Sequence, residues 1–322
     1  MVNEKSEQIY TITTQSEEAT NIAKPKMVSI ITCSIKPEIC QRMLNSVNQT
    51  IGVEYETIVF DNREKRFGLC AAYNNAAKEA KGDYLCFVHE DIVIETEDWG
   101  RGLIKFAENN NDCGAIGIAG GKYANRNFLS WCVPNHLIKV YDGRGSKNDL
   151  IYHYINPNNE IFSKAVCLDG VFLFVKKDIW ENNKFDEKTF KDFHFYDADF
   201  SFSISQRYQN YVYFGMDIYH FSPGNIEKTY LENMYLFQKK WKCRLPYCLS
   251  GYNVSFRQEL GTVNNIFYLY RKNGFSRIEI FKRIYKINGI LFFVFFLCKR
   301  IKILLFNNIL LSRSNKTSPY IG

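Results

Sequence analysis

A run of three polar residues, His89-Glu90-Asp91, follows the apolar segment 84–88 of this 322-residue chain. Carboxylates at the end of a strand suit a hard divalent cation such as Mg²⁺ or Mn²⁺, which takes oxygen ligands and usually shares its coordination with substrate phosphates. The structural alternative is that Glu90 and Asp91 only cap the segment that begins at Ile92. The run is therefore a candidate metal site, and its surroundings must decide between these interpretations.

The chain around this run alternates between strand and helix patterns. Three apolar segments are typical of buried strands, at 27–32, 56–60 and 84–88. Two segments with apolar positions at helical spacing separate them, at 38–49 and 68–81. Strand, helix, strand, helix and strand in this order predict an α/β unit with a parallel sheet.

Polar residues lie at or directly after the end of each predicted strand. Thr32 ends the first strand, with Ser34 just beyond it, Asp61 and Asn62 follow the second, and the run at 89–91 follows the third. Ligands of open α/β sheets bind at the carboxyl ends of the strands. The sequence therefore predicts the site at this edge of the sheet.

Beyond residue 110 the pattern continues with further strands and helices. It predicts a strand and tight turn at 114–121, a turn and strand at 169–175, a helix from 176 to 180, a helical segment through Gln206, and a last strand at 211–216.

In their order and spacing these segments resemble the family-2-like glycosyltransferases of GT-A fold. The resemblance covers about residues 26–245 and rests on the segments 28–32, 61–62, 67–76, 82–91, 169–175 and 195–201 and on His220 with its following Ser-Pro-Gly. The form with His-Glu-Asp in place of the usual Asp-x-Asp resembles the branch that contains bacterial cell-surface sugar transferases. The implied fold class is α/β, a Rossmann-like mixed sheet flanked by helices.

The resemblance also implies the donor site. Asp91 matches the second Asp of Asp-x-Asp, which holds Mn²⁺ or Mg²⁺ on the diphosphate of a nucleotide-sugar. His220 matches a position that can supply a further metal ligand, although a lone His is also often structural. The other implied nucleotide-sugar-binding residues are Asp61 at the uracil with Thr32 and Asn62 beside it, His89 at the ribose, and Glu90 and Asn75.

Asp197 matches the general base of an inverting transfer, although Tyr196 replaces the Glu that precedes it in the family's motif. The base takes the proton of the acceptor hydroxyl as that oxygen attacks C1 of the donor sugar. In a helix, Asp197 and Asp199 would diverge, and Asp199 as a cap or orienting partner is the alternative to a direct role. The residues expected on the acceptor or donor-sugar side are Asp169, Gly170, Asp199 and Trp131.

The excess positive charge of the chain is C-terminal. Residues 271–322 carry eleven Lys and Arg against one Glu, or +10, so that the net charge of +7 leaves −3 for the rest. The apolar run at 289–297 is too short to span a membrane, which takes about 20 apolar residues. An amphipathic helix on an anionic membrane is therefore expected, and a helix packed on the catalytic domain is the alternative. The predicted division is a polar tail at 1–25, a GT-A domain at 26–250 and a helical extension at 251–322.

The N-terminal residues and the cysteines also indicate the cellular compartment of the protein. The first 25 residues are polar and acidic without an apolar core, so no secretory signal is recognised. The ten cysteines have no CxxC pair or regular spacing, which favours reduced thiols. A cytoplasmic protein, peripheral at the inner face of the plasma membrane, is expected.

The leading hypothesis is a metal-dependent inverting glycosyltransferase that moves a sugar from a nucleotide-diphospho-sugar to a glycan or lipid-linked acceptor in surface polysaccharide synthesis. The expected donor is a UDP-sugar. The main alternative is a catalytically degenerate GT-A-fold protein that binds glycans or acts as a scaffold. A nucleotidyltransferase lacks support because no glycine-rich basic loop follows the first strand. Nucleic acid is not an expected partner, since the basic tail is apolar between its charges.

Overall fold

The computed structural model describes residues 9–14, 25–130, 136–222, 224, 226–249 and 255–314. Its strands are β1 (Ile9–Thr14), β2 (Val28–Ser34), β3 (Tyr55–Asp61), β4 (Tyr84–Val88), β5 (Ile92–Ile94), β6 (Cys113–Gly117), β7 (Ala119–Gly121), β8 (Tyr123–Ala124), β9 (His136–Asp142), β10 (Ile151–Ile155), β11 (Phe162–Ala165), β12 (Cys167–Leu168), β13 (Phe172–Lys176), β14 (Gln209–Tyr213), β15 (Ile218–His220) and β16 (Tyr247–Cys248). Its α-helices are α1 (Pro37–Thr50), α2 (Leu69–Lys78), α3 (Trp99–Asn109), α4 (Lys177–Asn182), α5 (Tyr196–Ser205), α6 (Lys228–Lys240), α7 (Phe256–Lys272) and α8 (Arg277–Ser314).

The main sheet is mixed, in the order β1-β3-β2-β4-β13-β6-β14-β11. Strands β2, β3 and β4 are parallel, as predicted, and α1 and α2 connect them. Strand β13 then runs antiparallel to both β4 and β6. The predicted α/β class with a mixed sheet flanked by helices is confirmed. Strand β1, in the segment treated as a polar tail, pairs antiparallel with β3.

A second sheet has the order β12-β7-β9-β15-β5, with β10 paired to β9, and its strand β5 directly follows the polar run at 89–91. The segment predicted as one strand and a turn at 114–121 is divided between the two sheets, with β6 in the first and β7 in the second. A Cβ on Gly120 would collide with the carbonyl oxygen of Cys167 on the neighbouring β12, so this close approach requires glycine.

The C-terminal helices share the apolar core of the main body. Buried residues of α7 and α8, among them Ile266, Ile280 and Phe296, belong to the same cluster as Phe87 in β4. Gly289, with φ 78° and ψ 179°, interrupts α8 with a conformation outside the helical region. No helix within the described ranges is long and apolar enough to cross a membrane. The expected domain boundary at 250/251 lies outside the described residues.

All nine cysteines in the described part of the chain are free thiols. Four of them, Cys70, Cys86, Cys113 and Cys167, are fully or almost fully buried and pack as small apolar side chains.

Candidate active site

The polar residues after the parallel strands meet at one edge, as predicted. Ser34 at the end of β2 is the register partner of Asp61 at the end of β3. The Ser34 hydroxyl donates to Oε2 of Glu90, which follows β4, over 2.7 Å. The second sheet brings its own polar side chains to this edge through β9 and β15.

His89, Asp91 and His220 form a cluster that could hold a metal ion. Each offers one ligand atom, and these atoms lie within 4.8 Å of one another. Nε2 of His220 is 3.5 Å and Nδ1 of His89 is 3.9 Å from Oδ1 of Asp91. The main chain fixes the approach, because the amide of Phe221 donates to the carbonyl of Asp91 over 3.0 Å. Two imidazoles and one carboxylate give a mixed nitrogen and oxygen donor set.

His220 is oriented by a residue that the sequence analysis did not identify. Its Nδ1 lies 2.9 Å from Oδ1 of Asp142, which is opposite His220 in the parallel pairing of β9 and β15. Burial opposes protonation of His220, but the hydrogen bond to Asp142 and the carboxylate of Asp91 outweigh it and raise its pKa to about 9. A carboxylate behind a ligating imidazole is a common feature of metal sites, since it fixes the ring and the tautomer.

His89 is oriented by Tyr196, the residue that replaces the motif's Glu. The Tyr196 hydroxyl donates to the carbonyl of Gly170 over 3.0 Å and lies 2.7 Å from Nε2 of His89. A hydroxyl has one proton, so the proton between Tyr196 and His89 belongs to Nε2 of His89. Burial lowers the pKa of His89, which favours the neutral ring. The lone pair of Nδ1 therefore faces Asp91.

Asp197 lies in the first turn of α5, next to Tyr196, and is partly exposed. Its Oδ2 accepts a hydrogen bond of 2.9 Å from the amide of Gly170. Burial and the nearby carboxylate of Asp169 raise the pKa of Asp197 to about 7, against the backbone donors at the start of the helix. A carboxylate with a pKa near neutrality can accept a proton during a reaction at physiological pH. The structure therefore links a candidate base to the metal cluster through Gly170, whose amide donates to Asp197 and whose carbonyl accepts from the Tyr196 hydroxyl next to His89.

Gly170 is required at this position. A Cβ there would collide with the Tyr196 hydroxyl and approach Cβ of Asp197. Asp169 stabilises the same loop, since its Oδ1 accepts a hydrogen bond of 2.9 Å from the amide of Val171. Two of the four residues predicted for the sugar side, Asp169 and Gly170, thus belong to the loop that contacts Asp197 and Tyr196.

Asp199, predicted on the sugar side, is held by two side chains at the end of α6. Asp197 and Asp199 diverge on α5, and the buried carboxylate of Asp199 accepts from Nζ of Lys240 and Nε1 of Trp241, both over 2.7 Å. Both of its oxygens therefore have protein partners. Asp199 tethers α5 to the end of α6, which agrees with the orienting alternative.

Two of the predicted nucleotide-site residues, Glu90 and Asn62, have structural partners, and a third, Thr32, is buried. Glu90 accepts from Ser34 and from the amides of Ile35 and Lys36, and so holds the loop that enters α1. The Asn62 side chain accepts from the amide of Phe67 and donates to its carbonyl, which closes the loop 62–67. Thr32 is fully buried, and its hydroxyl has no hydrogen-bond partner among the residues that the structure describes. Glu90 and Asn62 therefore stabilise the loops that follow β2 and β3.

Asp61 is held by Arg63, whose guanidinium binds both of its oxygens. This hydrogen-bonded pair keeps the pKa of Asp61 below its usual range. Asn75 lies on the outer side of α2, where Lys78 donates to it over 3.0 Å. The buried amide of α2 is that of Asn74, which binds the main chain of Phe185. Trp131, the predicted sugar platform, lies outside the described residues.

Phe193 is an aromatic neighbour of the cluster that the sequence analysis did not identify. Its ring is 55% exposed and its centroid lies 5.7 Å from that of His89. The loop that carries Phe193 is anchored to α2, because the amide of Leu69 donates to the carbonyl of Asp192 over 3.2 Å. The only sequence signal is its position two residues before the segment 195–201.

A family model described as "Glycosyltransferase like family" matches residues 29–224, more than half of the chain. The protein therefore belongs to this glycosyltransferase family, which confirms the resemblance to family-2-like enzymes of GT-A fold. The matched residues include the whole of the metal cluster, Asp142 and Asp197.

Two solved proteins match this chain at low sequence identity. GalNAc-T7, in a structure with UDP, GalNAc and Mn²⁺, has a TM-score of 0.47 and 11% identity over 66% of this chain and 48% of its own, so the match spans about half of that protein. Residues 1–349 of S. aureus TarS have a TM-score of 0.45 and 14% identity over 87% of this chain and 83% of their own, and the same values apply to their complex with UDP. No curated protein matches the chain.

Proposed function

We propose that this glycosyltransferase is metal-dependent and inverting, and that it transfers a sugar from a UDP-sugar to a glycan or lipid-linked acceptor in cell-surface polysaccharide synthesis. The observation that carries the proposal is the hydrogen-bonded link, through Gly170 and Tyr196, between Asp197, whose pKa is raised to about 7, and the cluster of His89, Asp91 and His220. Asp197 can accept a proton, and the cluster can hold a cation that binds the leaving diphosphate.

The three cluster residues fit a divalent cation. His89 and His220 each have one ring nitrogen hydrogen-bonded to a fixed partner and the other turned toward Asp91. Mg²⁺ prefers oxygen ligands in near-octahedral geometry, whereas transition metals accept imidazole readily. The donor set therefore favours Mn²⁺ over Mg²⁺. When bound, the cation would offset negative charge on the diphosphate of the donor.

The residues present account for the proton and for both bonds that change at C1 in the proposed reaction. The acceptor oxygen forms a bond to C1 of the donor sugar as its proton passes to Asp197, and the bond from C1 to the diphosphate breaks with its electron pair on the departing nucleoside diphosphate. Attack from the face opposite the diphosphate inverts C1. The amide of Gly170 holds Asp197 in place by its hydrogen bond to Oδ2.

The two departures from the family's motif do not favour a degenerate binding protein. His89 and Tyr196 replace the usual acids, but they lie within hydrogen-bond distance of each other, and together they direct Nδ1 of His89 to Asp91. The substitutions thus complement each other and preserve a ligand set.

Calorimetric titration of UDP, GDP and dTDP, each with and without Mn²⁺, tests this proposal on the full chain. We expect UDP to bind tightly only with Mn²⁺. Asp61→Asn should weaken UDP more than GDP, because the resemblance places Asp61 at the uracil. Glu64→Gln is a matched control, since Glu64 is an exposed acid of the same loop, paired with Arg66. Absence of binding for all three nucleotides would contradict the donor assignment.

We also propose that α8 holds the protein on an anionic membrane at the cytoplasmic face. One side of the helix is buried, but Ile278, Tyr285, Ile290, Leu291, Val294, Phe295 and Ile301 are between 46% and 71% exposed. Exposed Lys282, Lys286 and Lys302 lie along the same helix. Apolar side chains that enter the headgroup region, next to lysines that pair with anionic lipid, are typical of interfacial helices.

Flotation with vesicles of phosphatidylglycerol and phosphatidylcholine measures this interaction. Deletion of α8 is unsuitable because Ile280 and Phe296 belong to the core, so the exposed pair Leu291→Ser and Phe295→Ser replaces it. We expect this pair to reduce binding at least about tenfold, while pure phosphatidylcholine binds little of either protein. Ile161→Ser, at a 66% exposed site on the main body, is the control. Equal binding by all three proteins would refute the role of α8.

A further inference from the structure

Strand β10 is an edge strand of the second sheet that exposes both of its faces. It pairs with β9 along one side, and within the described ranges no strand pairs with its other side. All five residues, Ile-Tyr-His-Tyr-Ile, are exposed, with 64% for Ile151, 46% for Tyr152, 45% for Tyr154 and 40% for Ile155. An apolar strand of this length leaves a row of backbone donors and acceptors open to another strand.

Three of the other edge strands described are short or carry a charge, whereas β1, at the far end of the main sheet, has no charged residue, Pro or Gly, like β10. Strand β11, at the end of the main sheet, presents the exposed charge of Lys164. Strands β5 and β12 have three and two residues. Strand β10 contains no Lys, Arg, Asp, Glu, Pro or Gly. Because natural edges normally carry such a residue or are covered, the composition of β10 indicates a cover.

The sequence of β10 reads the same in both directions about His153. We propose that β10 of one molecule pairs antiparallel with β10 of a second copy across a two-fold axis at His153. A two-fold interface must be self-complementary, so that residue i meets residue j and j meets i. In this register each Ile151 is opposite Ile155 of the other copy, each Tyr152 is opposite Tyr154, and the two His153 residues face each other.

This register is distinguished from its neighbours by the like pairs that it forms. A shift by two residues would place Ile151 opposite His153 of the other copy and leave two residues at each end unpaired, whereas aromatic and β-branched cross-strand pairs are the favourable ones. The tyrosines are already ordered, since the rings of Tyr152 and Tyr141 stack at 4.6 Å and those of Tyr152 and Tyr154 at 5.9 Å. Little side-chain freedom remains to be lost on pairing.

The pairing would adjoin the candidate active site without entering it. Ile151 is the register partner of Asp142 on β9, and Asp142 orients His220. The second copy therefore lies one strand away from the carboxylate that supports the metal cluster. The inference does not depend on the proposed reaction.

Disulfide trapping tests the register directly. In the proposed dimer, His153→Cys places two thiols opposite each other, with Cβ atoms about 4.5–5.5 Å apart, close to the range that a disulfide requires. We expect oxidised full-length His153→Cys to give a cross-linked dimer whose disulfide maps to position 153 in both chains. Lys164→Cys, an exposed residue on edge strand β11, is the matched control and should give no more dimer than the wild type.

Charged substitutions at positions 151 and 155 test whether the dimer forms through β10. Ile151→Lys with Ile155→Lys places like charges opposite each other at both ends, and Ile151→Glu with Ile155→Glu does the same. We expect sedimentation velocity to show a concentration-dependent dimer for the wild type, monomers for each double variant alone, and a heterodimer on mixing them. A monomeric wild type with no trapping at position 153, or a dimer that persists in the lysine variant, would overturn the proposal.

Discussion

Replacement of Asp197 by Asn should reduce the turnover number by roughly 10²–10⁴-fold, the usual contribution of a general base. The amide has nearly the same shape and can still accept the hydrogen bond from the Gly170 amide. It cannot take a proton from the acceptor. Binding of UDP and Mn²⁺ should therefore remain close to that of the wild type, and only the chemical step should slow. Initial rates with a UDP-sugar substrate, measured beside calorimetric donor binding, separate these two effects.

Asp199→Asn is the matched control for this prediction. It changes the same side chain on the same helix, but its carboxylate is bound by Lys240 and Trp241 instead of facing the cluster. We expect lower thermal stability and a nearly unchanged pH profile of the turnover number. A wild-type turnover number for Asp197→Asn would show that another group takes the proton.

The pH dependence follows from the same carboxyl group. Because the pKa of Asp197 is about 7 in the folded protein, activity should rise with pH through about 7 as the base loses its proton. The free energy of unfolding should change in the opposite direction and fall as the pH rises. An unfolded Asp has a pKa of about 3.9, so the folded state binds more protons between that value and 7 and loses stability as the pH rises through this window.

Asp197→Asn does not titrate and should lack this loss. Its melting temperature relative to the wild type should therefore be higher at pH 8 than at pH 5. The comparison needs only thermal unfolding at the two pH values. A pH-independent difference would show that the folded state does not hold a proton on Asp197.

The location of the site was predictable because it depends on strand order. Polar residues at the ends of parallel strands must meet, and Ser34, Asp61 and Glu90 do so. The partner of His220 was not predictable in this way. Asp142 is a single acid at the end of β9, and only the parallel register of β9 and β15 brings it opposite His220.

Helix rotation decides the surroundings of two other predicted residues, Asn75 and Asp199. Asn74 and Asn75 are adjacent, and the packing of α2 decides which of them is buried against Phe185. Asp197 and Asp199 are separated in the same way by α5. A sequence shows that a helix is present, but neighbours distant in the chain set its rotation, and these neighbours do not leave a local pattern.

Replacement of Asp91 by Ala should abolish metal-dependent nucleotide binding, since it removes the one carboxylate of the cluster and leaves two imidazoles. Tyr196→Phe is the finer test of the same site. It keeps the ring that packs against Tyr73 but removes the hydroxyl between His89 and Gly170. Loss of a partner that orients a ligating His typically costs about 10–100-fold in metal affinity. We expect a decrease of this size for Mn²⁺, measured by electron paramagnetic resonance without substrate.

Gly170→Ala approaches the same contact from the other side, because the added methyl group would displace the Tyr196 hydroxyl. It should weaken Mn²⁺ binding as Tyr196→Phe does. Tyr73→Phe is the control, since its hydroxyl donates only a long hydrogen bond of 3.3 Å to the carbonyl of Val88 and does not contact His89. If Tyr196→Phe bound Mn²⁺ as tightly as Tyr73→Phe, the hydroxyl would not orient His89. If Asp91→Ala kept its metal-dependent binding of UDP, the cation would lie elsewhere. Together the variants distinguish a ligand from the residues that position it.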